Sequence, residues 1–312
     1  MSATDELGEP TDRAHLGAAR YSIERHDEVF ATPDGVELMA RVWVPVDAPP
    51  GRPAVVDAHG GCWAYFDRTV DESQCRGLAE AGAVSVAVDF RQAPEGRWPD
   101  PVADVAAGVR WVKANAERFS VDPDAVLLLG GSSGGHLAMW VALRPEHPET
   151  TTTAHLGGES AVDGPDARVR GVLALWPIAA PDDRYRYLQR RQATGDTESR
   201  DPLFNLDFLL GGHDAFFGDL ETMAAASVLE VLASGDHEPP PPLWLAHPEL
   251  DENVLRAMSE QVLDAWRAAG GTAGLQLYEG LGHGFVNFGG PAAEACVADM
   301  VTAARAHLEA RP

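Results

Sequence analysis

Two overlapping Gly-x-Ser-x-Gly patterns, Gly130-x-Ser132-x-Gly134 and Gly131-x-Ser133-x-Gly135, follow the apolar run Val126-Leu127-Leu128-Leu129 and precede a helical stretch beginning His136-Leu137-Ala138. Small residues between a buried strand and a helix are what a nucleophile elbow needs, because the chain must turn sharply enough to lift a hydroxyl clear of the sheet. Spacing alone leaves both serines open. A phosphate loop is excluded, since no Gly-Lys-Ser/Thr follows and no lysine is near. A serine hydroxyl is a weak nucleophile and calls for a base, and the base for an acid that orients it. Further along, His283 stands between Gly282 and Gly284, and before it come three acids in His247-Pro248-Glu249-Leu250-Asp251-Glu252-Asn253. Acid then histidine, each just after a late strand, is the chain order that an elbow of this kind demands. Upstream, His59-Gly60-Gly61-Cys62-Trp63 follows another apolar run. Glycines there let main-chain N–H groups approach a developing oxyanion. Cys62 is followed by no Cys-His-Asn order, which argues against a thiol nucleophile.

These residues need a scaffold, and the hydrophobic pattern supplies one. Short apolar runs alternate with longer helical patterns, the signature of a mostly parallel sheet covered by helices. Strands are expected at 26–31, 37–44, 53–58, 85–90, 125–129, 170–176, 242–247 and 274–279, the first two joined by a hairpin turn at Asp34-Gly35. Helices are expected at 71–82, 100–118, 134–143, 252–269 and 291–309. Glu252 is expected to open the fourth of these, where its charge would meet the helix N-terminus. The stretch 178–241, rich in Asp, Arg and aromatics and closing on Pro239-Pro240-Pro241-Pro242, breaks the rhythm and reads as a lid or cap insertion. The expected organisation is an N-terminal segment 1–24 associated with the cap, a catalytic domain formed by 25–177 and 242–312, and the insertion between them.

Composition bounds the function. With 312 residues, 45% of them hydrophobic, the chain can bury a large core. Its 24 Lys and Arg against 48 Asp and Glu leave a charge of −24, which repels nucleic acid and anionic membranes. No run of about 18 apolar residues spans a bilayer, and the start MSATDELGEPTDR lacks a basic, then apolar, leader pattern, so a soluble cytoplasmic protein is expected. Cys62, Cys75 and Cys296 form neither a disulfide framework nor a metal clip, and the 11 histidines include no HExxH pair. No metal or cofactor is called for.

The elbow resembles the GDSAGG-x-L-A segment of the hormone-sensitive-lipase-like esterases, which have the α/β-hydrolase fold, and aligning His136-Leu137-Ala138 with its ending makes Ser132 the nucleophile. His59-Gly60-Gly61-Cys62 is similar to that family's HGGG oxyanion loop, with Cys62 in place of the last glycine, and HGG-x-Trp is also similar to the loop of formamidase-like hydrolases. Asp89-Phe90-Arg91-Gln92-Ala93-Pro94-Glu95, Trp98-Pro99 and Asp104 are similar to DYRLAPE…FPAA…D, implying buried charge pairs that tie the oxyanion side to the sheet. Asp251 matches the family acid better than Glu249 or Glu252, and Gly282-His283-Gly284-Phe285 looks like its x-H-G-F. The resemblance thus implies Ser132, Asp251 and His283 as a triad, with the N–H groups of Gly60, Gly61, Cys62 and Ser133 as oxyanion donors. Trp63, Tyr65, Phe66, Phe204, Phe208, Phe216 and Phe217, with Tyr185 and Tyr187, are candidates for an apolar pocket or for core. The expected activity is hydrolysis of a small-molecule carboxylic ester. Amide or lactone hydrolysis on the same triad, and a non-catalytic binding role, are the competing readings, and self-association is left open.

Overall fold

The structure, a computed structural model, describes residues 16, 20–151, 164–201 and 203–310. Most of the expected N-terminal segment 1–24 lies outside the described residues. Eight strands form one sheet: β1 (Ile23–Ala31), β2 (Leu38–Pro45), β3 (Arg52–Ala58), β4 (Val84–Val88), β5 (Val121–Gly131), β6 (Val172–Leu175), β7 (Leu243–Pro248) and β8 (Ala273–Tyr278). Their order is β1-β2-β4-β3-β5-β6-β7-β8. The β1/β2 and β2/β4 pairs are antiparallel and all the others parallel.

The reason for this sheet is visible in β3, β5 and β6, which are apolar on both faces. Val56, Leu128 and Ala174 point into one cluster and Val55, Leu129 and Leu175 into the other, as a period of two requires of strands covered on both sides. Helices α2 (Asp100–Ala114), α4 (Ser133–Leu143) and α9 (Arg256–Ala268) supply the first layer, and α1 (Glu72–Glu80) and α10 (Pro291–Glu309) the second.

The β1–β2 hairpin turns at Asp34-Gly35 as expected, through the turn Pro33–Gly35, where Asp34 and Gly35 both have positive φ (51° and 82°). Strand ends differ from the sequence expectation by a few residues, β5 most at Val121–Gly131, and two helix boundaries differ for a local reason. The helix expected over 100–118 breaks at Asn115, whose side chain donates back to the Trp111 carbonyl, leaving the short α3 (Ala116–Phe119). Helix α9 starts at Arg256, not 252, because Asp251 Oδ1 accepts from the N–H groups of Asn253 and Val254 and holds a turn there. Glu252 therefore opens no helix; its carboxylate pairs with Arg191 at 3.0 Å.

Between β6 and β7 the chain makes four helices, α5 (Pro181–Thr194), α6 (Leu206–Phe217), α7 (Leu220–Ala225) and α8 (Val228–Ser234). The last packs on α4 and α9 and so joins the flanking layer. Helix α5 is anchored by the fully buried Arg184, whose Nε donates to the Asn253 carbonyl at 3.0 Å and whose Nη2 donates to the Asn253 side chain.

Beyond β4, the Arg91 N–H donates to Asp104 Oδ2 at 2.8 Å and its guanidinium to both Asp104 oxygens, while Arg68 holds Asp89 at 2.7 Å. Asp104 is wholly buried, and removing one partner of a buried pair strands the other charge. Asp104→Ala is therefore expected to destabilise the fold by about 3–5 kcal/mol, measured as a lowered urea midpoint at pH 7.

Candidate active site

Strand β5 ends between β3 and β6, where the sheet is widest covered, and turns directly into α4. Ser132 is the turning residue, at φ 54° and ψ −117°, a conformation that side-chain-bearing residues avoid and that persists only when the surroundings enforce it. The enforcement is a set of main-chain bonds: Ser132 N–H donates to the Leu175 carbonyl at 2.9 Å, and its own carbonyl accepts from His136 and Ile178 at 3.2 and 3.1 Å. Close approach explains one glycine in particular. A Cβ at Gly134 would lie 1.8 Å from the Ala58 carbonyl oxygen, so no other residue lets α4 start against the end of β3. The two serines are thereby told apart. Ser132 lines a cavity, whereas Ser133 is fully buried in the first turn of α4, its Oγ without a partner among the described residues.

His283 and Asp251 come together from the loops after β8 and β7. His283 Nδ1 lies 2.8 Å from Asp251 Oδ2; since the carboxylate accepts, Nδ1 carries the proton and Nε2 is left with its lone pair. Both side chains are almost wholly buried. Glu249 instead accepts from the Gly280 N–H at 2.9 Å on the surface, and Glu252 is spent on Arg191, so neither reaches the imidazole. Behind the pair, His247 donates or accepts at Ser259 Oγ (2.9 Å), and burial pushes its pKa down to about 4, keeping it uncharged.

The loop after β3 is shaped by positive φ at Gly61 (112°), Cys62 (51°) and Trp63 (59°). At Gly61 a Cβ would lie 2.0 Å from the Tyr65 carbonyl, and the Gly61 carbonyl accepts from the N–H groups of Ala64 and Tyr65. His59 braces the start of the loop by stacking on Phe90 (4.3 Å between ring centres) and donating from Nδ1 to the Gly60 carbonyl (2.7 Å). Gly60, Gly61 and Cys62 line the same cavity as Ser132 and His283, and their N–H groups donate to no other group among the described residues.

That cavity has a volume of about 400 Å³. Of the aromatic residues expected there, Phe66, Phe204 and Phe208 line it; Tyr65 does not, stacking on Phe208 from outside at 4.3 Å. Trp63, Phe216 and Phe217 are corrected to core. Trp63 stacks flat on Phe216 (5.4 Å), meets Phe217 edge-on (4.8 Å) and donates to His136, because a large ring beside α4 and α6 gains more from burial than a wall position would give it. Tyr185 and Tyr187 bond to Asp214 and to the Glu252 carbonyl, away from the cavity. Trp176, Asp71, Leu203, Asn205 and Asn253 line it without having been anticipated. Trp176 could have been found, since it follows the C-terminal end of a parallel strand, where such sheets build their sites.

Among the described residues, the group of side chains with metal-ligand chemistry is Asp201, Asp251 and His283, whose atoms lie within 4.8 Å of one another. One Asp251 oxygen there is already committed to the imidazole. The three cysteines are buried and unpaired.

Asp71 adds an acidic wall to the cavity. Gln74 donates to its Oδ1 at 3.0 Å and the Asn287 side chain also acts on this carboxyl, while the neighbouring buried Asp57 has the Cys75 thiol beside it. Burial pushes Asp71 up to about 6, and pushes Asp57 well above the usual carboxylate range with help from the Asp71 charge. A carboxyl raised in this way holds its proton more tightly folded than unfolded, so its contribution is present at low pH and is lost as pH rises from near 3.8 to about 6. Asp71→Asn should therefore gain stability relative to wild type across that window, by up to about 3 kcal/mol, with urea midpoints from pH 4 to pH 8 as the measurement.

A family model described as an alpha/beta hydrolase fold matches residues 55–287. "Probable carboxylic ester hydrolase LipM" of Mycobacterium tuberculosis is 31% identical over 44% of this chain and 30% of its own length, and "Esterase LipC" of the same organism 29% over 55% and 43%. The chain thus spans less than half the length of these two relatives. "Versiconal hemiacetal acetate esterase" of Dothistroma septosporum is 28% identical over 75% of this chain and 66% of its own. Among solved structures, EstE1, a thermophilic carboxylesterase cloned from a metagenomic library, superposes with a TM-score of 0.73 at 24% identity, covering 94% of this chain and 92% of its own. Esterase 2 of Thermogutta terrifontis, phosphonylated by sarin, gives a TM-score of 0.66 at 23% identity, covering 89% and 91%.

Proposed function

Because the chain belongs to the alpha/beta hydrolase fold family, in its hormone-sensitive-lipase-like group, we propose that it is a serine hydrolase cleaving a carboxylic ester of a small or medium apolar substrate. The observation that carries this reading is the meeting, in one cavity, of a strained elbow serine with an imidazole whose Nδ1 is held by a carboxylate. In this mechanism Ser132 Oγ attacks the ester carbonyl and its proton passes to His283 Nε2, while Asp251 keeps the imidazole in the required tautomer and stabilises the imidazolium. The N–H groups of Gly60, Gly61, Cys62 and Ser133 face the oxyanion, and His283 then protonates the leaving alkoxide. Water, deprotonated by the same imidazole, releases the acid from the acyl-enzyme.

The substrate class follows from the walls. Phe66, Phe204, Phe208 and Trp176 favour an apolar acyl or alcohol group, and about 400 Å³ limits its size. The inserted region acts as a cap, its segment before α6 supplying Leu203, Phe204 and Asn205 to that wall and α6 supplying Phe208 and Leu209. The tryptophan that makes the oxyanion loop similar to formamidase-like hydrolases is packed in the core, so it lends no weight to an amide substrate. Three unpaired buried cysteines suit a soluble enzyme of a reducing cytoplasm.

Activity is tested on p-nitrophenyl esters of graded chain length with a fluorophosphonate as covalent probe. Ser132→Ala should lose about three orders of magnitude or more in kcat and all labelling, whereas Ser133→Ala, which keeps its N–H, should retain both. A labelled peptide bearing the phosphonate on Ser133 would refute the assignment, and folded protein that neither turns over nor labels would refute the hydrolase. Cys62→Gly keeps the N–H at a residue whose φ suits glycine, so turnover of the best ester should stay within about tenfold, against the hundredfold or more lost with an oxyanion donor.

A further inference from the structure

Asp201 lies in the segment between α5 and α6, fifty positions from Asp251 in sequence, yet it reaches the acid–histidine pair. It is 3% exposed. One of its carboxylate oxygens, one of Asp251 and a ring nitrogen of His283 all lie within 4.8 Å of one another. Its own N–H donates to Ser199 Oγ at 3.0 Å, and its Oδ1 accepts from the Leu203 N–H at 2.9 Å. Those two bonds shape a turn, and an asparagine or a serine would make the same turn without bringing a charge. They leave Oδ2 buried, with the main-chain N–H of His283 as the further donor acting on the carboxylate and no close partner within hydrogen-bond geometry among the described residues, a costly position for a carboxylate that serves shape alone.

The surroundings narrow the role. Burial raises the Asp201 carboxyl above its usual range, and the neighbouring Asp251 charge adds to that, against the lowering effects of the Leu203 N–H, the His283 imidazole and the His283 main-chain N–H. Of the two buried cations on α5, Arg191 is paired with Glu252 and Asp196, and Arg184 donates to the main chain and side chain of Asn253. His247, on β7 behind Asp251, is held uncharged by burial. The groups facing His283 with charge to offer are therefore Asp251 and Asp201, and the cation that both can pair with is the imidazolium formed when the base takes a proton. The same segment is also cavity wall: Leu203, Phe204 and Asn205 line it, and Leu203 packs so closely on Gly284, next to the histidine, that a Cβ there would come within 2.7 Å of it.

We propose that Asp201 is a second carboxylate of the Ser132–His283–Asp251 machinery, a positioning residue delivered by the inserted helices that stands beside Asp251 and stabilises the His283 imidazolium. The inference rests on the triad reading above and deepens it. The proton path is unchanged: Ser132 Oγ bonds to the carbonyl carbon, its proton goes to His283 Nε2, and from there to the departing alkoxide. What Asp201 adds is a second negative charge beside Asp251, and a dependence of the base on how the 199–205 segment is seated.

The test compares wild type, Asp201→Asn, Asp251→Asn and the double variant on p-nitrophenyl butyrate, with kcat and KM measured from pH 5 to pH 9. Removing a negative charge beside the imidazole makes its protonated form less favourable, so the ascending limb of kcat for Asp201→Asn should move to lower pH. Its kcat should fall roughly tenfold with KM nearly unchanged. In the Asp251→Asn background, where Asp201 is the remaining carboxylate, its replacement should cost a further factor clearly larger than in wild type. An unmoved limb overturns the proposal, whether kcat is unchanged or falls, because a turn-forming role alters amount and rate but not the titration of the base. Asp201→Ser, which keeps an acceptor for Leu203, is read in the same way if the asparagine variant does not fold. Activity surviving in Ser132→Ala or His283→Ala would remove the triad reading itself, whereas their inactivity beside a silent Asp201→Asn removes this inference alone.

Discussion

The backward turn at Ser132 is the constraint around which the structure is arranged. A residue at φ 54° with a side chain costs of order 1–3 kcal/mol to hold, and three main-chain hydrogen bonds from Leu175, His136 and Ile178 hold it. Those bonds exist only if β6 lies beside β5 and α4 starts hard against β3, which in turn needs a glycine at 134. Strand order, helix placement and small residues are consequences of one another here, and the outcome is a hydroxyl raised into a cavity at the C-terminal ends of parallel strands.

Electrostatics in the interior follows a second rule, that buried groups stay neutral unless something holds their charge. His59, His136, His213 and His247 are all pushed down by burial, so the imidazole interior is uncharged. Asp57 and Asp71 are pushed up for the same reason. Asp251 receives two main-chain N–H groups and the His283 ring N–H. With a net charge of −24 the surface is strongly anionic, yet the described walls of the cavity carry neither lysine nor arginine.

The helices between β6 and β7 are joined to the site by more than proximity. Arg184 on α5 holds Asn253, two residues after Asp251, and approaches the Cys62 sulfur at 3.9 Å; Arg191 holds Glu252 at 3.0 Å; Asp201 lies against His283. The loop bearing Asp251 and the loop bearing Gly60 and Gly61 are thus both fastened to the same inserted element. Movement of that element would be felt at Asp251, at Cys62 and at the cavity wall together.

The amino-acid sequence determined what depends on near neighbours along the chain. Alternating or continuous apolar runs specified eight strands in nearly the observed places, and the glycine pattern specified an elbow after β5 and a tight loop after β3, because pleat and turn geometry act over a few residues. Even there, the boundaries at 115 and 256 moved, since Asn115 and Asp251 bond to their own local backbone in preference to continuing a helix. The tertiary structure decided what depends on residues far apart in sequence. Burial and φ separated Ser132 from Ser133, which spacing could not. Adjacency of β7 and β8 brought Asp251, rather than Glu249 or Glu252, to His283 across 32 positions. Packing sent Trp63, Phe216 and Phe217 into the core while Phe204 and Phe208, with the same chemistry, became wall. Asp71 and Asp201 carry no motif at all, and only the meeting of distant segments gives their carboxylates a setting.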